Sequence, residues 1–161
     1  MIFISHRGNL TGKNSERENS PDYIDEAINS GFDVEVDLWV VNDKLFLGHC
    51  DPTYEIPVQF LIDRYRKLWI HCKDIDTLVW MVNYHSKRHA AGWPRSLNYF
   101  YYQNDPVSLT SLNDVWVHPN EEILEGGIVC LPNDKNLKEL SKCSGICSDT
   151  IVWYKNEILY K

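Results

Sequence analysis

Residues 31–40 read GFDVEVDLWV. Successive side chains of a strand point to opposite faces. Glu35 and Asp37 therefore share one face, while Val34, Val36 and Leu38 share the other. The run is apolar and β-branched enough to be a buried strand, so two carboxylates stand side by side where a core is expected. Such a pair repels itself and resists desolvation. Two kinds of partner relieve it: a hard divalent cation such as Mg²⁺ or Ca²⁺, or an ion pair with arginine or lysine. The spacing alone leaves both open.

Other apolar runs carry charge in the same way. MIFISHRGNL (1–10) ends a strand at His6, with Arg7 and Gly8 after it; LFLGHCD (45–51) ends one at His49; WIHCK (69–73) sets His71 and Lys73 on one face. Charged groups at the C-terminal ends of parallel strands are where α/β barrels build active sites. Histidine exchanges protons near neutral pH. The fork of Arg7 suits phosphate oxygens, and Gly8 lets the backbone come close to a ligand. Two histidines, a carboxylate pair, an arginine and a lysine make a set suited to phosphoryl chemistry.

Working outward, apolar runs recur at 2–5, 32–40, 45–48, 68–72, 97–102, 115–118, 128–131 and 146–148. Helical signals separate several of them. Ser20 and Pro21 open one helix, which Gly31 follows, and Ile24, Ala27 and Ile28 lie at helical spacing within it. Val58, Leu61, Ile62 and Tyr65 repeat the pattern, as do Leu78, Met81, Val82 and His85 behind a cap at Asp74 or Asp76. Leu137 and Leu140 mark a short late helix. Alternating strands and helices predict parallel pairing in an α/β domain. A complete eight-fold barrel uses about 250 residues, so the 161 residues predict one domain, a trimmed or irregular TIM-type (β/α) barrel with some helices reduced to loops.

The net charge is −7, from 23 acidic and 16 basic residues, with no basic run to grip duplex nucleic acid. No apolar stretch approaches the ~18 residues of a membrane span, and the N-terminus lacks the pattern of a signal peptide. Five cysteines, an odd number without a Cys-x-x-Cys pair, read as reduced thiols in a cytoplasmic protein. Six tryptophans and nine tyrosines mostly fill the core. Trp39, Tyr102 and Trp116 lie near strand ends, where an aromatic ring can stack on a sugar or a choline-like group. Gln103, Asp105, His118 and Asp149 also follow strands, with a solvated loop position as the default for each.

Four motifs in order, HRG at 6–8, EN at 18–19, E-x-D at 35–37 and the His49/Asp51 pair, resemble the glycerophosphodiester phosphodiesterase family, one of the phospholipase-C-like phosphodiesterases. WIHCK resembles that family's next strand, whose pattern is Glu-x-Lys. The resemblance covers residues 6–75 and thins beyond them. It implies a barrel fold and metal-assisted cleavage of a phosphodiester. It also implies that His6 and His49 are the general acid and base, that Glu35 and Asp37 bind Mg²⁺ or Ca²⁺, and that Arg7 and Lys73 hold the phosphate, with Glu18 and Asp51 in support. Gln103 and His118 stand on the rim, where specificity lies.

The chain departs from the family at two places. Cys50 separates His49 from Asp51, and His71 replaces a metal-binding glutamate. An imidazole ligand moves the preference away from Ca²⁺ toward Mg²⁺ or Mn²⁺. The expectation is a small-molecule phosphodiester hydrolase. The competing readings are a phosphate-binding module with a degraded metal site, and a lyase or transferase that forms a cyclic phosphate. The exposed strand edges of a trimmed barrel also make a homodimer an expectation.

Overall fold

The charged strands lie next to one another. In the computed structural model, which describes residues 1–90, 96–132 and 136–160, β1 (Ile2–His6) pairs in parallel with β2 (Asp33–Val41), bringing His6 opposite Glu35. On its other edge β2 pairs in parallel with β5 (Leu68–Cys72), with Asp37 opposite His71.

β3 (Lys44–Leu47) returns antiparallel along β2 from Leu38 to Val41. The Glu35 carbonyl accepts from Arg7 N–H and the Asp37 carbonyl from Gly48 N–H, whereas the Leu38 carbonyl accepts from Lys73 N–H. Alternate carbonyls of a strand face opposite edges. β3 therefore continues on the edge that β1 vacates, and its end returns His49 to the side of Asp37.

Among the described residues there are ten strands and five helices. The strands form one curled, half-barrel sheet in an α/β arrangement. The path runs β4 (Tyr54–Ile56), β3, β2, β1, β10 (Gly145–Ser148), β9 (Ile128–Cys130), β8 (Val115–Val117) and β7 (Val107–Leu109), while β5 and β6 (Asn98–Phe100) extend it from β2. The pairs β2–β3, β3–β4 and β7–β8 are antiparallel and the others parallel.

Period-two alternation sorts the side chains into layers. Outside, Val34, Val36, Leu38, Leu68 and Ile70 pack against α1 (Pro21–Asn29), α2 (Val58–Asp63) and α3 (Ile75–Ala90) through Ile24, Ala27, Leu61 and Met81. Val117, Val129 and Ile146 pack against α4 (Leu137–Leu140) and α5 (Ile151–Leu159). On the inner face Ile4, Trp69, Phe100, Trp116, Ile128, Cys130 and Cys147 form a separate apolar cluster. His6, His71 and His118 follow Ile4, Trp69 and Trp116 at a spacing of two, so the charged residues continue this inner column toward the C-terminal strand ends.

The predicted strand at 68–72 and the start of the first helix at Pro21 coincide with the structure. Ser20 occupies the N-cap of α1 without a side-chain capping bond. Asp74 caps α3 by accepting the Thr77 N–H at 2.7 Å. Three elements were not expected from the sequence: β4, β7 and α5. Trp116 is a floor residue, 1% exposed, and not a rim residue. Among the described residues no helix is long and apolar enough to cross a membrane.

Candidate active site

The chain leaves β1 in a tight turn that aims Arg7 back over the strand ends. Arg7 takes φ +55, in the sparsely populated left-handed region, and Gly8 follows at φ +95. A Cβ on Gly8 would meet the Tyr23 ring at 2.6 Å, so glycine permits both the turn and the close approach of α1. Asn19, also left-handed at φ +64, donates its backbone N–H to the Arg7 carbonyl. Its side chain then clamps Asp37: Nδ2 donates to Oδ2 at 3.0 Å, and Oδ1 accepts the Asp37 N–H at 2.9 Å.

Asp37, fully buried, is the electrostatic hub. Arg7 Nε lies 2.8 Å from Oδ2 and Lys73 Nζ 3.1 Å from Oδ1. His71 Nδ1 stands 3.0 Å from Oδ1 and His49 Nδ1 3.3 Å from Oδ2. Burial alone would raise this carboxyl. The histidine hydrogen bonds and the Arg7 and Lys73 charges overcome it and hold Asp37 well below the usual carboxylate range. The Arg7 contact is a charge pair whose Nε–H makes no directed hydrogen bond.

Glu35 is the opposite case. It is 3% exposed, and its Oε2 has no hydrogen-bond partner among the described residues. The nearest imidazole nitrogens are His6 Nε2 at 3.8 Å and His71 Nδ1 at 4.0 Å. Burial and the neighbouring Asp37 push its pKa up.

His6 is held from behind. Its Nδ1 lies 2.8 Å from Asp149 Oδ1, which also accepts from Asn9 Nδ2 at 2.8 Å. Asn9 Nδ2 reaches Glu18 Oε1 at 2.9 Å, and Glu18 Oε2 accepts from Arg7 at 3.2 Å. Burial opposes a charge on His6, but the Asp149 hydrogen bond and Glu35 outweigh it and raise the imidazole to about 9.

His6, Arg7, Glu35, His49, His71 and Lys73 line one cavity of about 110 Å³, whose other wall includes Phe100, Tyr102, Trp116, His118 and Cys130. Of the supporting residues expected from sequence, His118 lines this cavity and Glu18 braces Arg7 from outside it. Asp51 is exposed and lines a neighbouring cleft with His49 and Glu18. Gln103 is exposed in the loop after β6 and does not line the cavity. Trp39 does not stack at the mouth; its indole N–H donates to the Gly48 carbonyl at 2.6 Å and pins the turn that delivers His49. Asp149, read from sequence as a solvated loop residue, is the partner of His6. Its partners Asn9 and His6 are 140 and 143 residues away along the chain, so no local pattern announces it.

The donor set fits a small divalent cation. Ligand atoms from Glu35, Asp37 and His71 lie within 4.8 Å of one another. A buried carboxylate oxygen with no donor, as Glu35 Oε2 has, is what a cation ligand looks like without its ion. Arg7 and Lys73 meanwhile neutralise Asp37, so both partners suggested by the strand pattern have a physical basis here. In comparisons with known proteins, no family model, no curated protein and no solved structure matches the chain.

Proposed function

We propose that the protein is a metal-assisted phosphodiesterase of the glycerophosphodiester phosphodiesterase type, built on a trimmed (β/α) barrel of the phospholipase-C-like kind. The observation that carries the reading is the convergence of His6, Arg7, Glu35, His49, His71 and Lys73 on one cavity, with Glu35 Oε2 buried and without a donor among the described residues. Glu35, Asp37 and His71 would hold Mg²⁺, Ca²⁺ or Mn²⁺, which when bound supplies positive charge where the phosphoryl oxygens gather negative charge. Arg7 and Lys73, already poised over Asp37, exchange part of that pairing for the phosphate of a small-molecule diester. His6, kept protonated by Asp149, donates its proton to the leaving alkoxide. His49, exposed at the mouth, removes the proton from the attacking hydroxyl or water.

Bis(p-nitrophenyl) phosphate and glycerophosphocholine, each assayed with Mg²⁺, Ca²⁺ and Mn²⁺, test the reading. His6→Ala and His49→Ala should each lose about 10²–10⁴-fold in turnover. Unchanged rates in both variants overturn the mechanism. Phosphorus NMR of the product separates hydrolysis from arrest at a cyclic phosphate. A second reading, a non-catalytic diester-binding module, is favoured by the neutralisation of Asp37 by Arg7 and Lys73. It predicts thermal stabilisation by the diester with no turnover under any metal.

A further inference from the structure

The cavity wall facing the charged cluster is mostly aromatic, and it holds the polar ring of His118. β8 directs Trp116 and then His118 inward, and β6 and the residues after it supply Phe100 and Tyr102. The rings form a continuous surface. Phe100 stacks on Trp116 with centroids 4.6 Å apart, and Tyr102 stacks on His118 at 3.6 Å.

Two hydrogen bonds fix the tautomer of His118. Ser108 Oγ lies 3.0 Å from the Tyr101 carbonyl oxygen and 2.7 Å from His118 Nε2. A carbonyl only accepts, so the one hydroxyl proton goes to Tyr101. Ser108 Oγ must then accept from His118 Nε2–H. Burial, reinforced by the nearby His71, pushes the His118 imidazole down to about 4, so the ring is neutral and Nδ1 keeps its lone pair. The ring's hydrogen bond to Ser108 runs through Nε2, which leaves Nδ1 as its other ring nitrogen, on a ring that is 4% exposed and lines the cavity. The phosphate wall already presents the cations; the aromatic wall presents a fixed acceptor.

We propose that His118 is a specificity-determining residue whose Nδ1 accepts a hydrogen bond from an O–H or N–H carried by the ester substituent, so that the site prefers diesters with a donor-bearing arm. This rests on the phosphate seat proposed above, since a phosphate against Arg7 and Lys73 directs one ester arm along Phe100 and Tyr102. A plain alkyl arm of equal length desolvates Nδ1 and gives nothing back, which is the situation in which a missing hydroxyl is penalised.

The test compares p-nitrophenyl 3-hydroxypropyl phosphate with p-nitrophenyl propyl phosphate. A parallel binding measurement by calorimetry uses 3-hydroxypropyl phosphate and propyl phosphate. Wild-type protein should favour the hydroxyl compound by about three- to tenfold in kcat/KM and in Kd. His118→Phe should bring both ratios close to one. Ser108→Ala, which frees the ring to change tautomer, should shrink the ratios without removing the ring. If neither diester is cleaved but the binding ratio holds in wild type and collapses in the variants, the reaction reading fails and the role of His118 stands. A wild-type ratio near one in both measurements overturns the role, as does a ratio that survives His118→Phe.

Discussion

Glu35 and Asp37 lie two residues apart on one strand face, and their surroundings push them in opposite directions. Asp37 is held below the usual carboxylate range by Arg7, Lys73 and two histidines, whereas Glu35 is raised by burial and by Asp37 itself. Removing the charge of Asp37 takes from Lys73 its carboxylate at 3.1 Å and leaves Arg7 with Glu18 alone as an ion-pair partner, and breaking such a buried arrangement costs on the order of 3 kcal/mol. Asp37→Asn should therefore lower the melting temperature without added metal. Glu35→Gln removes a carboxyl whose charge burial and Asp37 disfavour and whose Oε2 no donor meets among the described residues, so its metal-free melting temperature should fall far less than that of Asp37→Asn. The rise on adding Mn²⁺ should vanish in Glu35→Gln. A rise equal to that of wild type would show that the cation is not held by Glu35.

A second residue-scale consequence concerns His6. Burial alone would depress its pKa below 6.5, and the Asp149 hydrogen bond, helped by Glu35, reverses that to about 9. A raised histidine contributes stability that is fully present below the unfolded value and is lost as pH rises through the folded one. The window here therefore runs from about 6.5 to about 9. Asp149→Asn removes the charge that holds the proton. An NMR titration of the His6 ring, without metal, should give a midpoint near 9 in wild type and a clearly lower one in the variant. An unmoved midpoint would assign the raised value to Glu35 instead.

At the scale of elements, every strand except β4 and β7 falls on an apolar run marked in the sequence, and the clearest are those whose side chains alternate over five or more residues. β1, β2 and β5 combine a buried outer face with a charged inner one, and that conflict is visible in MIFISHRGNL, GFDVEVDLWV and WIHCK. β7 has three residues and exposes Val107 and Leu109, so it offers no burial pattern to read. α5 opens Ile151-Val152-Trp153-Tyr154, a β-branched and aromatic run with strand-like composition; burial of Ile151 and Tyr154, three apart, turns it into a helix through tertiary packing. The position of His49 depends on such context as well. A Cβ at Gly48 would run into the Asp51 carbonyl, so only glycine allows the turn that carries His49 past Cys50 to Asp37. Gly48→Ala should retain the circular dichroism of wild type while diester turnover falls toward the level of His49→Ala. Turnover within about twofold of wild type would mean that the loop re-forms with His49 in place.

At the scale of the whole molecule, the inner apolar cluster and the cavity above it depend on the two ends of the curled sheet staying together. β6 ends one side and β7 the other, and among the described residues no strand ladder joins them. Ser111, in the turn between β7 and β8, makes the join: its N–H donates to the Tyr99 carbonyl at 2.8 Å, its Oγ accepts the Tyr99 N–H at 3.0 Å, and its hydroxyl donates to the Leu97 carbonyl at 3.0 Å. Ser108 adds a fourth link, to Tyr101. A serine in a polar turn carries no sequence mark of this duty, because its partners, Tyr99 of β6 and Leu97 just before that strand, precede it by 12 and 14 residues. Ser111→Ala removes two of the three bonds and leaves the Tyr99 N–H unpaired beside a side chain that is 9% exposed. The cost should be about 1–3 kcal/mol. Hydrogen exchange locates it: Tyr99 and Phe100 amides should lose protection in Ser111→Ala, while those of Val34 and Val36 at the centre of the sheet keep theirs. The same opening moves Phe100 and Tyr102 away from Trp116 and His118, so binding of a hydroxyalkyl phosphate should weaken together with Tyr99 protection. Uniform loss of protection across β2 and β6 would instead make the seam part of the global unfolding unit, with the aromatic wall no more mobile than the charged one.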